Sequence, residues 1–311
     1  MLARVLVIAL NTYREAVRAR MLHGLFAMAL ATTGYSLVVG AYTAKNQLRV
    51  VSDLGAASIS LYAIIVAIVL GATSLYRELE LKTLFPILAR PVSRSEYLAG
   101  KYLGTLLLLL VFVVANTGIG LLAISVIAGR GLGLVLALGL GSLAALGGVG
   151  YWRRTSITYL PIAWSLALGV AGVLLAAAAP DDRRVLVGLG VLTMCEVAIV
   201  AGLATLFSAF SSPFLTAVFT FGLFLVGRSA DSLARLPVRV FGQGIHDAGV
   251  AVSKVVPNLM IYVPQRSLLT GEAADVTPLW SYVGGAALHA LAWALVLLGL
   301  ASLIFRRRDF I

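Results

Sequence analysis

The chain has 311 residues, 60% of them hydrophobic and 12% charged, with a mean hydropathy of +1.00. A soluble domain is nearer half apolar and a quarter charged, so this much apolar surface excludes one soluble core and makes lipid part of the solvent. The excess of cations, 24 Lys and Arg against 13 Asp and Glu, does not point to nucleic acid, because the cations fall mostly between apolar runs, where they orient a membrane protein. A lone Cys195 excludes an internal disulfide and a Cys-based metal site, and three scattered histidines give no ligand pair at helical spacing, so no metal is expected.

The first element is an amphipathic helix over residues 2–20. Leu2, Val5, Leu6, Ala9, Tyr13, Ala16 and Val17 share one face; Arg4, Asn11, Arg14, Glu15 and Arg18 share the other. Such a helix lies in the membrane interface with its arginines among anionic headgroups; the alternative is a cytosolic helix packed on protein. The apolar run from Val5 to Leu10 is too short for a secretory signal, so no cleaved leader is expected.

Stretches of about 20 apolar residues then predict spanning helices over roughly 22–42, 55–75, 103–128, 132–150, 157–179, 185–210, 212–228 and 280–305. The 212–228 stretch is the weakest, and the Gly-rich 132–150 stretch is open to a re-entrant reading. The fold class is therefore all-α: a polytopic transmembrane bundle of about six to eight spans forming one domain over 1–311. Eight spans put both termini on one side. The loops on that side carry 14 Lys and Arg with 5 acids, and those on the other carry 10 and 7, Arg228 included. That bias predicts cytoplasmic termini, and Arg306-Arg307-Arg308 behind the last span agrees with it.

The loop at 76–102 is the most informative stretch. Residues 76–85 predict a short amphipathic helix with Glu78 and Lys82 at i, i+4. Pro86 and Pro91 stop it, and Arg90 before Pro91 is biased out of the α region. Ser93-Arg94-Ser95-Glu96 is then a capping box that starts a new helix running into the 103–128 span.

This loop resembles the signature of ABC-2 type permeases, and is similar to that of the permease of the nitrous-oxide-reductase maturation system. Glu78, Glu80, Lys82, Thr83, Leu84, Pro91, Ser93, Arg94, Glu96, Tyr97, Gly100 and Lys101 carry the likeness. Residues 11–18, including Arg14, Glu15 and Arg18, look like the N-terminal elbow helix (residues 1–21) of that family. Residues 203–213, Pro257-Asn258-Leu259 and 305–310 extend the resemblance, while 131–180 looks like an added apolar pair. The resemblance implies a permease of the bacterial inner membrane, an exporter, paired with a second copy or a second permease. It also implies a separate ABC ATPase subunit that binds ATP and magnesium and docks on this loop through Arg77, Glu78, Glu80, Lys82, Thr83, Leu84, Phe85, Arg90, Pro91, Arg94, Glu96 and Lys101.

The chain itself offers no ATP site. Gly100-Lys101 is not a P-loop, since Ser95 stands where an earlier glycine is needed and Tyr102 follows. No cofactor and no enzymatic activity are expected of it.

Glu196 falls mid-span, where an ionisable group must be paired, neutral or wet, so it is a candidate pathway residue or a structural glutamate, with Asn116 as a candidate partner. The outer segment 229–278 holds an amphipathic stretch at 239–256 that reads as a lid or a cap on the pathway, and His246-Asp247 is too isolated to read as catalytic. The other function class is a secondary transporter, or a membrane-embedded assembly or maturation factor without an ATPase partner. A secondary transporter calls for paired halves and more intramembrane charge than is seen here.

Overall fold

The structure is a computed structural model that describes residues 2–18, 20–43, 45–80, 93–152, 157–271 and 279–307. Its described residues are helical with no strands. They form α1 (Leu2–Val17), α2 (Arg20–Tyr42), α3 (Gln47–Glu80), α4 (Arg94–Ile127), α5 (Leu132–Trp152), α6 (Leu160–Leu175), α7 (Pro180–Ser208), α8 (Pro213–Arg228), α9 (Ala230–Ala234), α10 (Val238–Phe241), α11 (Gln243–Val255), α12 (Arg266–Thr270) and α13 (Leu279–Arg307). Among the described residues seven helices are long and apolar enough to cross a bilayer: α2, α3, α4, α5, α6 with its 3₁₀ extension to Ala178, α7 and α13.

One expected span needs correction, and one that was open to another reading forms as a span. The 212–228 stretch forms α8, only 16 residues long, about 24 Å of helix, and its last residue is a half-buried ion-pair partner rather than a boundary cation. The Gly-rich stretch near 132–150 is a continuous 21-residue helix and does not turn back.

The core is built from α3, α4 and α7, each of which packs on the other two, while α13 closes over α7. Lipid replaces water as the outer solvent, so burial marks helix contact rather than hydrophobicity: Val200, Leu203 and Ala204 of α7 are buried, while Leu288, Leu291 and Leu295 of α13 are exposed. Close contact is set by small residues. A Cβ on Gly71 of α3 would come within 2.3 Å of the Ala204 Cβ on α7, so these two helices touch backbone to backbone.

α6 packs closely on α4, where a Cβ on Gly118 would come within 2.7 Å of the Leu168 backbone, while α5 sits at the periphery. On α5 only Val135 is buried, and its tie to α6 includes a 3.2 Å hydrogen bond from Trp164 Nε1 to the Gly139 carbonyl.

α1 packs along the first turns of α4 through Ala9, Thr12 and Tyr13, all buried. Gly104 makes this approach possible, since a Cβ there would lie 2.4 Å from the Ala9 carbonyl oxygen. The helix also leaves Leu2, Leu6, Val7 and Leu10 exposed. One edge of the helix therefore rests on protein and a neighbouring apolar edge is exposed.

Part of the segment between α8 and α13 packs back into the bundle. Arg228 ends α8, and the chain returns to that level when Leu259 N–H donates to the Gly227 carbonyl at 3.0 Å. Leu259 and Tyr262 are fully buried. Tyr262 hydroxyl then reaches His289 Nδ1 at 2.9 Å on α13, and Tyr282 hydroxyl donates to the Ile261 carbonyl at 2.5 Å. The amphipathic stretch predicted at 239–256 is present as α10 and α11, with Phe241, Ile245, Val252 and Val255 exposed.

Candidate functional site

Two regions carry polar chemistry, one at the end of the bundle where α3 stops and α4 starts, the other halfway through it. At the first, α3 does not break at residue 76. Its helix runs without interruption to Glu80, because no Pro or Gly falls between Gly71 and Pro86. The separate short helix expected to begin at 76 is thus, as far as Glu80, the last part of α3, which carries Arg77, Glu78 and Glu80. Lys82, Thr83, Leu84, Phe85, Arg90 and Pro91 lie outside the described residues.

On the far side of this loop the capping box forms as the spacing predicts. Glu96 N–H donates to Ser93 Oγ at 3.2 Å, and the Glu96 carboxylate accepts from Ser93 N–H at 2.8 Å. Both ends of the loop are locked to the bundle by groups that the sequence suggested for docking. Lys101 Nζ, on a residue only 5% exposed, donates to the Ser74 carbonyl at 2.9 Å and to Ser74 Oγ at 3.1 Å, tying α4 to the end of α3. Arg94 Nη1 donates to the carbonyls of Phe305 and Arg306, at 3.2 and 3.0 Å. A guanidinium there satisfies the open carbonyls of the last turn of α13 and meets the negative end of its dipole. Tyr97 stacks on Phe305, ring centroids 6.4 Å apart. Arg94, Glu96 and Lys101 thus hold the loop's root in place.

The elbow residues sit at the same end. Arg14 lies over the Tyr159 ring at 4.9 Å, Glu15 accepts from Asn11 Nδ2 at 3.1 Å, and Arg18 is exposed. Tyr13, buried between α1 and α4, has its hydroxyl pKa raised to about 12 by burial and, secondarily, by Tyr159.

The second region is the surroundings of Glu196, which is fully buried. Its partner is Arg228, not Asn116. Arg228 Nε donates to Oε1 at 2.6 Å and Nη2 to Oε2 at 2.8 Å, a bidentate pair. Ser60 of α3 completes it, with its Oγ 3.1 Å from Arg228 Nη2 and 3.4 Å from Glu196 Oε2. Asn116 instead donates to the Phe112 carbonyl of its own helix at 2.8 Å. Glu196 stands about 18 Å of helical rise from the end of α7, and Arg228 about 22 Å from the start of α8. The pair therefore lies well inside the length of α7, a helix long and apolar enough to span, where a charge calls for a partner.

The sequence reading missed Arg228 because it terminates an apolar run and so resembles a boundary cation. The signal that would have found it is length: a 16-residue helix that starts at one face ends inside the membrane.

A cavity of about 440 Å³ opens beside this pair. Ser60 and Arg228 line it, along with Phe224 and Tyr262, and farther along stand Asp53 of α3 and Arg266 of α12. There Arg266 of α12 donates to Asp53 at 2.5 Å, to Ser52 Oγ at 3.0 Å and to Asp182. This second network, also unforeseen, clamps α12 to the starts of α3 and α7. The cavity thus has an ion pair at each level and apolar walls between them. His246 Nδ1 bonds the Leu236 carbonyl at 2.8 Å, which makes His246 part of the segment's own packing. Among the described residues no group of His, Cys, Asp or Glu is placed to hold a metal.

A family model described as "ABC-2 family transporter protein" matches residues 6–310 of the chain. No curated protein matches it.

Proposed function

The chain belongs to the ABC-2 transporter family and is a membrane permease of an ABC transporter, and from that premise we propose that it is an exporter subunit driven by an ATPase on a separate chain. The docking surface is the loop from Arg77 to Lys101, and the termini and this loop face the cytoplasm, on the side richer in Lys and Arg. Two copies, or this chain and a related permease, form the transport unit in the inner membrane, and rigid-body rocking of the two follows closure of the ATPase. The observation that supports this reading best is the rooting of the loop. Lys101 fixes one flank to the end of α3, and Arg94 and Tyr97 fix the other to α13, so a force applied at residues 81–92 is delivered to three long helices at once.

The experiment is co-purification of the ATPase subunit from detergent extracts. Leu84 and Phe85 are the apolar anchors proposed for docking, and truncating such anchors costs about 1–3 kcal/mol each. Leu84→Ala and Phe85→Ala should therefore release the ATPase while the permease still inserts, and Asp247→Ala, in the segment leading back to α13, should retain it. Wild-type recovery with both loop variants would contradict the docking assignment.

A further inference from the structure

A second, roomier space than the one beside the ion pair lies elsewhere in the described structure. A crevice of about 900 Å³ lies between the α1–α2 junction, α4 and the hairpin of α5 and α6. Its deep wall is apolar: Phe26, Leu30, Val111, Phe112 and Trp164 face it. Phe26 makes edge contacts with both Phe112 and Trp164, at centroid distances of 6.2 and 5.9 Å, which fixes the aromatic wall. At one end the character changes: Arg18, His23 and Thr158 form the rim. That rim is where α1 ends, α2 begins and α6 begins, and α1 is the helix with exposed leucines that suit an interface.

We infer that this crevice binds one bilayer phospholipid with an anionic headgroup, its phosphate at Arg18 and its acyl chains along Phe26, Val111 and Trp164. Three observations select this occupant. The crevice opens sideways beside α5, an apolar helix that buries only Val135 against the protein and so turns the rest of its surface outward. Its polar rim lies at the headgroup level of the interfacial helix, and its apolar wall extends down α2 from Leu22 to Leu30, about 12 Å, the direction an acyl chain takes. The charge at the rim is positive: Arg18 is exposed, Arg14 lies close by over Tyr159, and the one nearby acid, Glu15, is bonded to Asn11 on α1 itself. A phosphate with net charge is favoured there over a zwitterion by about 1 kcal/mol per cation near the surface. The hairpin at 131–180 thereby gains a role, as the outer wall of a lipid site.

The test is native mass spectrometry of the purified full-length chain equilibrated with an equimolar mixture of phosphatidylglycerol and phosphatidylcholine of matched chains. The wild type should retain one phosphatidylglycerol per protomer through detergent washing, preferred about five-fold over phosphatidylcholine, the factor equivalent to one cation. Arg18→Glu should level the ratio while lipid is still held by its chains. Ala27→Trp, or Leu143→Trp from the opposite wall, should remove both lipids, and both positions line the crevice without being buried in the core. Equal retention of the two lipids by the wild type would overturn the inference. So would an unchanged lipid count in both Trp variants.

Discussion

Glu196 shows how a single residue was half legible. Its sequence context, an acid among Val, Leu and Ala, demands a partner. The partner is 32 positions away and was invisible to any local pattern. The pair is a unit, so its energetics are those of a buried ion pair: removing one charge strands the other, at roughly 3–5 kcal/mol, while replacing both with apolar groups is close to neutral. Glu196→Leu should therefore lower the thermal midpoint of the detergent-solubilised chain sharply, by stranding Arg228 against Phe224 and Ser60. The double variant Glu196→Leu, Arg228→Leu should recover most of that loss. Equal midpoints for the single and double variants would mean that the two charges do not depend on each other. The capping box at Ser93 and Glu96 was legible in full, because its whole chemistry is contained in an i, i+3 spacing.

At the level of elements, the sequence located every long helix but misjudged several ends. Periodicity and apolar length identify a helix, yet its end depends on what it meets. α3 runs past the end of its apolar stretch to Glu80, since nothing in Tyr76-Arg77-Glu78-Leu79-Glu80 interrupts helical bonding. α8 stops early because Arg228 finds Glu196 there. The return of Pro257 to Tyr262 into the bundle rests on the backbone bond to Gly227 and the side-chain bonds to α13, which no window of sequence contains. The alternation of these helices leads to a test of sidedness. With Cys195 replaced, Lys45→Cys in the exposed turn between α2 and α3 should react with a membrane-impermeant thiol reagent in intact cells. Tyr151→Cys, exposed at the end of α5, should react only after lysis. The reverse pattern would invert the orientation proposed from the charge bias.

At the scale of the whole molecule, the chain divides its polar groups between two ends and one midpoint. One end is a rigid root, in which α1 lies on α4, Lys101 joins α4 to α3, and Arg94 joins α4 to α13. The far end is clamped by Arg266 across α3, α7 and α12. Between them Glu196 and Arg228 hold the tip of α8 against α3 and α7. Membership of the ABC-2 family makes sense of this distribution, since a permease must carry a displacement from a partner at one end to a route that opens elsewhere. The sequence exposed the capping box, which lies within one loop, but it read Arg94 and Lys101 as docking groups and showed neither clamp, whose residues are scattered across four helices. The most direct measurement of the central claim is the yield of ATPase subunit that co-purifies with a chain whose residues 81–90 are replaced by a Gly/Ser linker of equal length. Ser93, Arg94, Glu96 and Lys101 are kept, so the bundle and the loop's root remain intact. The account predicts a monodisperse permease stripped of its ATPase; recovery of the ATPase at wild-type yield would contradict it.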